Sequence, residues 1–282
     1  MNSVAVIGAG DLAGAVAQAL AARDRVARIL LVDTAAGVAA GKALDIMQSG
    51  AVAGFHTRLE GTDDTTRVTG CDVCVVADRV GAGSPEWQGE EGLSMLTRLE
   101  PYLSGAPLVF AGATQALLVE LAAREARIPR NRLIGSAPDA LASAVKAIVA
   151  MEARCSPREV ALTVLGAPPS RFVVPWSDAS IGGYALERVL DQVQLTRIES
   201  RMASLWPPGA YTLGMAAARV TEGILESSRA SFAVLTMLTG EFGARNRLGV
   251  VPALLSTNGI VLTRTPALNT RERVLLGTAL GV

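Results

Sequence analysis

The feature that most constrains this chain lies in its first 33 residues. Val4-Ala5-Val6-Ile7 is a short apolar run that meets Gly8-Ala9-Gly10-Asp11-Leu12-Ala13, a G-x-G-x-x-A pattern. An alanine-rich helical stretch follows from Leu12 to about Ala22, and a second apolar run, Ile29-Leu30-Leu31-Val32, ends at Asp33. Strand, helix and strand within about 30 residues predict a parallel βαβ unit. Within it Gly8 permits the tight turn, Gly10 lets backbone come close to a pyrophosphate, and the small Ala13 allows the helix to pack on the strand. Asp11, Leu12 and Ala13 form the first turn, whose free N–H groups face an anion. Asp33 stands 20 residues past Ala13 at a strand end, where a carboxylate accepts hydrogen bonds from ribose hydroxyls. The same carboxylate repels a 2′-phosphate. The expectation is a dinucleotide site that prefers NAD to NADP.

The alternation continues. Cys71 to Val76 reads as a buried strand, because parallel strands covered on both faces are almost continuously apolar. Ala77 and Asp78, at its end, are placed with the cofactor residues. Leu108 to Phe110 is another strand, followed by a helical pattern from Gln115 to Ala126, and Arg132 to Ile134 leads into Gly135. Beyond this the pattern changes. Val160 to Leu165 and Phe172 to Val174 read as strands around a Gly-Pro-rich turn, and Leu186 to Leu205 and Tyr211 to Leu225 as helices. Hairpin-like strands are expected from Ser231 to Leu238 and from Leu248 to Leu262. The predicted fold class is α/β: an N-terminal Rossmann-type doubly wound parallel sheet over 1–140, with a C-terminal α+β domain over 141–282.

Composition narrows the function. Apolar residues make up 50% of the 282 and charged residues 18%, which favours a packed interior. Lys+Arg and Asp+Glu both total 26, so no electrostatic case exists for nucleic acid or an acidic membrane surface. No apolar run reaches the ~18 residues of a membrane span. Three cysteines are too few for a disulfide framework, and the N-terminus lacks the marks of a secretory signal. A cytoplasmic protein is expected. Cys71-x-x-Cys74 lies inside a predicted strand, where residues three apart face opposite sides, so it is read as core packing. Trp87, Trp176 and Trp206 are too scattered for a stacking platform, although Trp87 lies on the loop that would cover the cofactor. Arg219 and Arg229 read as surface charges.

From these residues onward the chain resembles the malate/lactate dehydrogenase family. The resemblance is carried by Gly41 to Gln48, Ile128 to Gly135, Val164-Leu165-Gly166, Thr239 to Gly243 and Gly249 to Pro252. It implies an NAD-dependent oxidoreductase that assembles as a homodimer or homotetramer. In that family a histidine exchanges a proton with the substrate oxygen while hydride moves to or from nicotinamide. An aspartate orients the histidine, arginines grip substrate carboxylates, and an asparagine positions the reacting oxygen. Such a division is physically sound: an alkoxide needs an acid–base partner, and a guanidinium fixes a carboxylate best.

Carried over position by position, the set is missing. Two residues past Gly166 the histidine place holds Pro168; counting back from Pro175 gives Pro169, again proline. Leu141-Ala142-Ser143-Ala144-Val145 puts Ala142 at the aspartate and Val145 at an arginine, and Ala113 stands at the asparagine. The loop from Arg79 to Leu93 is somewhat longer than the family norm; counted from Leu93 it places Ser84 and Glu90 at the other arginines. Glu90 and Glu91 also read as a solvated helix start, where acidic residues are favoured. The single histidine, His56, precedes an edge strand with no acid–base constellation around it. Two readings stay open. One is a pseudoenzyme that keeps fold and NAD site; the other is an NAD-dependent oxidoreductase for another small substrate, working through Asp78, Arg79, Glu90 or Asp139.

Overall fold

The computed structural model describes residues 2–83, 85–169, 171–202 and 204–282. Its first half is the expected alternation: β1 (Ser3–Ile7), α1 (Asp11–Ala22), β2 (Arg28–Val32), α2 (Ala36–Ala53), β3 (Arg58–Thr62), β4 (Val73–Val76), α3 (Gly89–Leu103), β5 (Leu108–Phe110), α4 (Ala116–Arg124), β6 (Leu133–Gly135) and α5 (Ala137–Ala153). These strands pair in the order β3-β2-β1-β4-β5-β6, all parallel. The chain leaves β1 toward β2 on one side and returns to β4 on the other. That reversal opens a crevice at the carboxyl ends of β1 and β4, where ligands of such sheets sit.

Alternation along β1 explains the two covered faces. Val4 and Val6 enter one apolar layer with Leu12, Val16 and Leu20 of α1, whereas Ala5 and Ile7 enter another with Leu96 and Leu99 of α3. Helix α2 stops at Gly54, which takes the left-handed conformation (φ 79°) that a C-cap favours.

The second half gives β7 (Val160–Ala161), β8 (Leu165–Ala167), β9 (Arg171–Val173), β10 (Ser180–Ile181), β11 (Tyr184–Ala185), α6 (Leu186–Val189), α7 (Gln192–Met202), α8 (Ala210–Leu225), β12 (Phe232–Thr239), β13 (Arg245–Ser256), β14 (Gly259–Thr263) and α9 (Thr270–Leu280). It extends the same sheet. β12 pairs antiparallel with β6 through Leu235 and Gly135, and β13, β8 and β9 follow. Residue 140 falls inside α5, which leads from the parallel strands into this half. Helix α8, late in the chain, packs on α1 so closely that a Cβ on Gly214 would lie 2.7 Å from that of Ala15. Among the described residues no helix is long and apolar enough to cross a membrane.

Four expectations are corrected. The run Val160 to Leu165 is two strands: β7 joins a small sheet with β10, and β8 joins the large one, because Val160 and Leu165 are buried in different apolar clusters. The helix over Leu186 to Leu205 breaks at Asp191. There Asp191 accepts from the Gln194 N–H (2.8 Å) and the Gln194 amide oxygen accepts from the Asp191 N–H (2.9 Å), a capping box that starts α7 anew. The strand over Leu248 to Leu262 turns back at Thr257 and Asn258, giving β13 and β14. Finally, β4 begins only at Val73, so Cys71 and Cys74 share one apolar layer instead of facing opposite sides. Burial pushes the Cys71 thiol up to about 11 and that of Cys74 well above its ordinary value, which leaves both thiols inert.

Candidate cofactor and active site

The turn after β1 is built as its glycines require. Gly8 sits at φ 121°, its N–H donates to the Val32 carbonyl (2.7 Å), and a Cβ there would overlap the Asp78 carbonyl oxygen. A Cβ on Gly10 would overlap the Asp78 carboxylate. Asp78 is what both glycines make room for. Its carboxylate accepts the N–H groups of Leu12 (2.9 Å) and Ala13 (2.7 Å), the first-turn donors of α1. Burial pushes the Asp78 carboxyl up, while those two N–H groups and the nearby Lys42 oppose the shift. Lys42, from α2, donates to the Gly10 carbonyl at 2.5 Å. Asp11 stays exposed on the first turn.

Asp33 is equally committed. One carboxylate oxygen accepts from Ala9 N (3.0 Å) and Val80 N (3.1 Å), the other from Ala35 N (2.9 Å) and Thr34 Oγ1 (3.5 Å). A carboxylate has about four acceptor positions, and the chain fills them. A ribose hydroxyl arriving at Asp33 would share its carboxylate with the N–H groups of Ala9, Ala35 and Val80.

The segment that follows β4 folds back on itself. Asp78 and Glu86 form an antiparallel bridge, Arg79 N donates to the Pro85 carbonyl (2.9 Å), and Trp87 N to the Ala77 carbonyl (3.2 Å). Glu86 accepts from Ala113 N (3.0 Å), Thr114 N (2.7 Å) and Thr114 Oγ1 (2.6 Å), just before α4. The buried Gln115 ties the pieces together, donating to the carbonyls of Ala77 (3.0 Å) and Trp87 (3.1 Å) and accepting from Gly112 N (2.8 Å). Arg79 pairs with Glu91 and lies over the Trp87 ring, 4.9 Å from its centroid. Glu90 is exposed at the start of α3, as a solvated helix start should be. Ser84 lies outside the described residues.

The structure brings Pro168 and Ala113 together. They line one cavity with Phe110, Val119, Trp206 and Leu235, and its volume is about 10 Å³. That is room for one water at most. Ala142 and Val145, on α5, are buried in the apolar cluster against which Trp206 also packs. Pro168 has no proton to exchange, and the other three positions offer no carboxylate, guanidinium or amide. Roomier space lies elsewhere, a cavity of about 610 Å³ lined by Trp176, Leu195, Met202 and Arg271.

Two sequence readings of charged residues part company here. Arg219 is not a free surface charge. It pairs with Asp139 and lies 4.6 Å over the Phe232 ring, because α8 packs against α5 and, at Gly223, lies close against that ring. Asp139 also accepts from Ala233 N (3.4 Å). Arg229 is exposed as expected. The His56 side chain is 91% exposed, with Nδ1 3.1 Å from an Asp24 carboxylate oxygen. It takes no part in the crevice. Sequence reasoning missed Glu86, Gln115 and Trp206; Pro207 and Pro208 beside Trp206 marked a turn, but nothing local shows which cavity the indole fills.

Comparison with known proteins agrees with this architecture. Residues 2–99 match the family model described as lactate/malate dehydrogenase, NAD binding domain. The malate dehydrogenase of Cytophaga hutchinsonii is 27% identical over 98% of this chain and 94% of its own, and that of Thioalkalivibrio sulfidiphilus 28% over 92% and 90%. Among solved structures, Salinibacter ruber malate dehydrogenase superposes with a TM-score of 0.86 at 24% identity, covering 99% of this chain and 94% of that one. A minor L-lactate dehydrogenase from Enterococcus mundtii gives 0.87 at 18%, covering 99% and 95%. The fold is thus the α/β fold of malate and lactate dehydrogenases, and the matches support that family. NAD is the cofactor that the matched domain implies. As arranged here, Asp78 takes up the space beside Gly8 and Gly10 and the first-turn N–H groups of Leu12 and Ala13.

Proposed function

We propose that this chain is a malate/lactate dehydrogenase-like protein of the NAD-binding kind that does not oxidise malate or lactate efficiently. One observation carries the reading: Pro168 and Ala113 line a cavity of about 10 Å³, and among the described residues no histidine, arginine or asparagine lines it. Hydride transfer to a 2-oxo acid makes an alkoxide, which needs a proton donor within hydrogen-bond reach. It also needs its carboxylate held, which a guanidinium does best. Among the described residues that line this cavity neither group is found, which supports the reading. The alternative, an oxidoreductase for another small substrate, asks Asp78, Arg79, Glu90 or Asp139 to do the chemistry. Asp78, Arg79 and Asp139 are already bound to the chain's own groups, and Glu90 points to solvent exposure at a helix start. This favours the pseudoenzyme reading.

The proposal includes the division into residues 1–140 and 141–282, a cytoplasmic location, a preference for NAD(H) over NADP(H), and a homodimer or homotetramer testable by light scattering. The deciding assay is oxidation of NADH with oxaloacetate and with pyruvate. Loss of acid–base catalysis costs ~10²–10⁴ in rate; with the carboxylate clamp missing too, activity is expected about 10⁴-fold or more below a working dehydrogenase. Turnover above roughly 1 s⁻¹, within the usual range of enzymes, refutes the proposal.

A further inference from the structure

We propose that Asp78 is a built-in occupant of the cofactor groove, its carboxylate standing where a dinucleotide pyrophosphate would stand, so that this chain binds a dinucleotide only when Asp78 leaves. The proposal rests on the cofactor reading above and goes beyond it.

The donors that would serve a phosphate are the first-turn N–H groups of α1, where the helix dipole favours negative charge. Leu12 N and Ala13 N already give their hydrogens to Asp78, in bonds strengthened by its charge. The steric signature agrees. Glycines at such a turn leave space for phosphate oxygens, and here the space beside Gly8 and Gly10 holds the Asp78 carbonyl and carboxylate. Asp78 is 2% exposed, so no second anion shares the position. A pyrophosphate arriving beside it would meet a like charge, offset nearby by Lys42, whose ammonium is turned to the Gly10 carbonyl.

The contact belongs to a larger closure. Glu86, bridged to Asp78, occupies the N–H groups of Ala113 and Thr114 at the next edge of the crevice. One short turn thus sets two carboxylates on two donor pairs at the carboxyl end of the sheet. Closure has a cost: among the described residues Trp87 Nε1 and Arg79 Nε are buried without a hydrogen-bond partner, which is unfavourable for any buried donor. Opening the turn relieves that cost, so the closed form competes with ligand instead of excluding it outright.

The test is calorimetric titration of the full chain with NADH and, separately, with inorganic pyrophosphate, which reads the α1 donors alone. Wild type, Asp78→Ala and Asp78→Ser are compared; serine keeps an oxygen acceptor for the helix start and serves if the alanine variant does not fold. Both variants are expected to bind pyrophosphate and NADH at least tenfold more tightly than wild type. Gain for pyrophosphate with no NADH bound by wild type or by either variant sustains the role of Asp78 and overturns the cofactor reading. Wild type binding NADH as tightly as the variants overturns the role of Asp78 and leaves the cofactor reading standing. Variants that bind neither ligand more tightly than wild type also overturn it.

Discussion

Trp206 offers the sharpest test of the closed pocket. Its indole is half-buried, lines the small cavity with Ala113 and Pro168, and packs against both the sheet layer and the cluster of the second half. Truncating a fully buried Trp or Phe to alanine costs ~3–5 kcal/mol. Half burial reduces that to roughly 2 kcal/mol for Trp206→Ala, by the same scale. At about 2–4 °C per kcal/mol for chains near this size, the melting temperature should fall by ~4–8 °C. The vacated space joins a cavity walled by Phe110, Val119 and Leu235, and apolar cavities of this kind take up flat aromatic molecules. Indole added at about 100 times its dissociation constant returns ~2.7 kcal/mol, enough to offset the loss. Thermal melts with and without indole measure both effects, and NADH turnover with oxaloacetate should stay absent because volume supplies no proton donor. A melting temperature unchanged within about 1 °C, or a loss that indole does not reverse, refutes the idea that Trp206 closes this site.

Other outcomes follow from neighbouring contacts. Asp33→Ala strips an acceptor from the N–H groups of Ala9, Ala35 and Val80; at ~1–3 kcal/mol per stranded buried donor, urea unfolding should show a loss on the order of 3 kcal/mol, and a loss under about 1 kcal/mol would contradict the strut role. Pro168→His should raise malate or lactate turnover by less than roughly tenfold, since the general acid alone is worth at most ~10²–10⁴ and neither space nor clamp is present; recovery to working rates would show that the pocket opens. Glu241 ionises at about 2 instead of 4.5: burial opposes this, but Arg130, the Thr239 N–H and the Thr263 hydroxyl outweigh it. A depressed folded value means stability that is complete above pH 4.5 and lost as pH falls toward 2. It is bounded by ~3 kcal/mol and reduced to about 1–2 kcal/mol by solvent screening. Urea midpoints of wild type and Glu241→Gln should converge over that window, and a gap constant with pH would rule the assignment out.

Local pattern made the dinucleotide-type half legible. The turn glycines, the apolar runs that end at Asp33 and Asp78, and the 3.6-residue repeat of α1 each lie within a few residues of what they specify. Residue identity was legible too: Pro168, at the place where the family resemblance expects a histidine, has no side-chain proton to exchange. Hydropathy says that a residue is buried, but not against what. The sequence puts Asp78 at the cofactor edge; that its carboxylate caps α1 depends on β1 and β4 pairing in the register Ile7 to Val76, which joins groups 66 positions apart. The pairing of Arg219 with Asp139 spans 80 positions and arises only when α8 settles on α5. The breaks within Val160 to Leu165 and Leu186 to Leu205 were hidden for the same reason. A continuous apolar or helical run reads as one element until two different cores, or a capping pair such as Asp191 and Gln194, divide it. Contacts between distant segments form only when the sheet assembles, so residues far apart in sequence decide whether a phosphate cradle stays open or is filled by the chain itself.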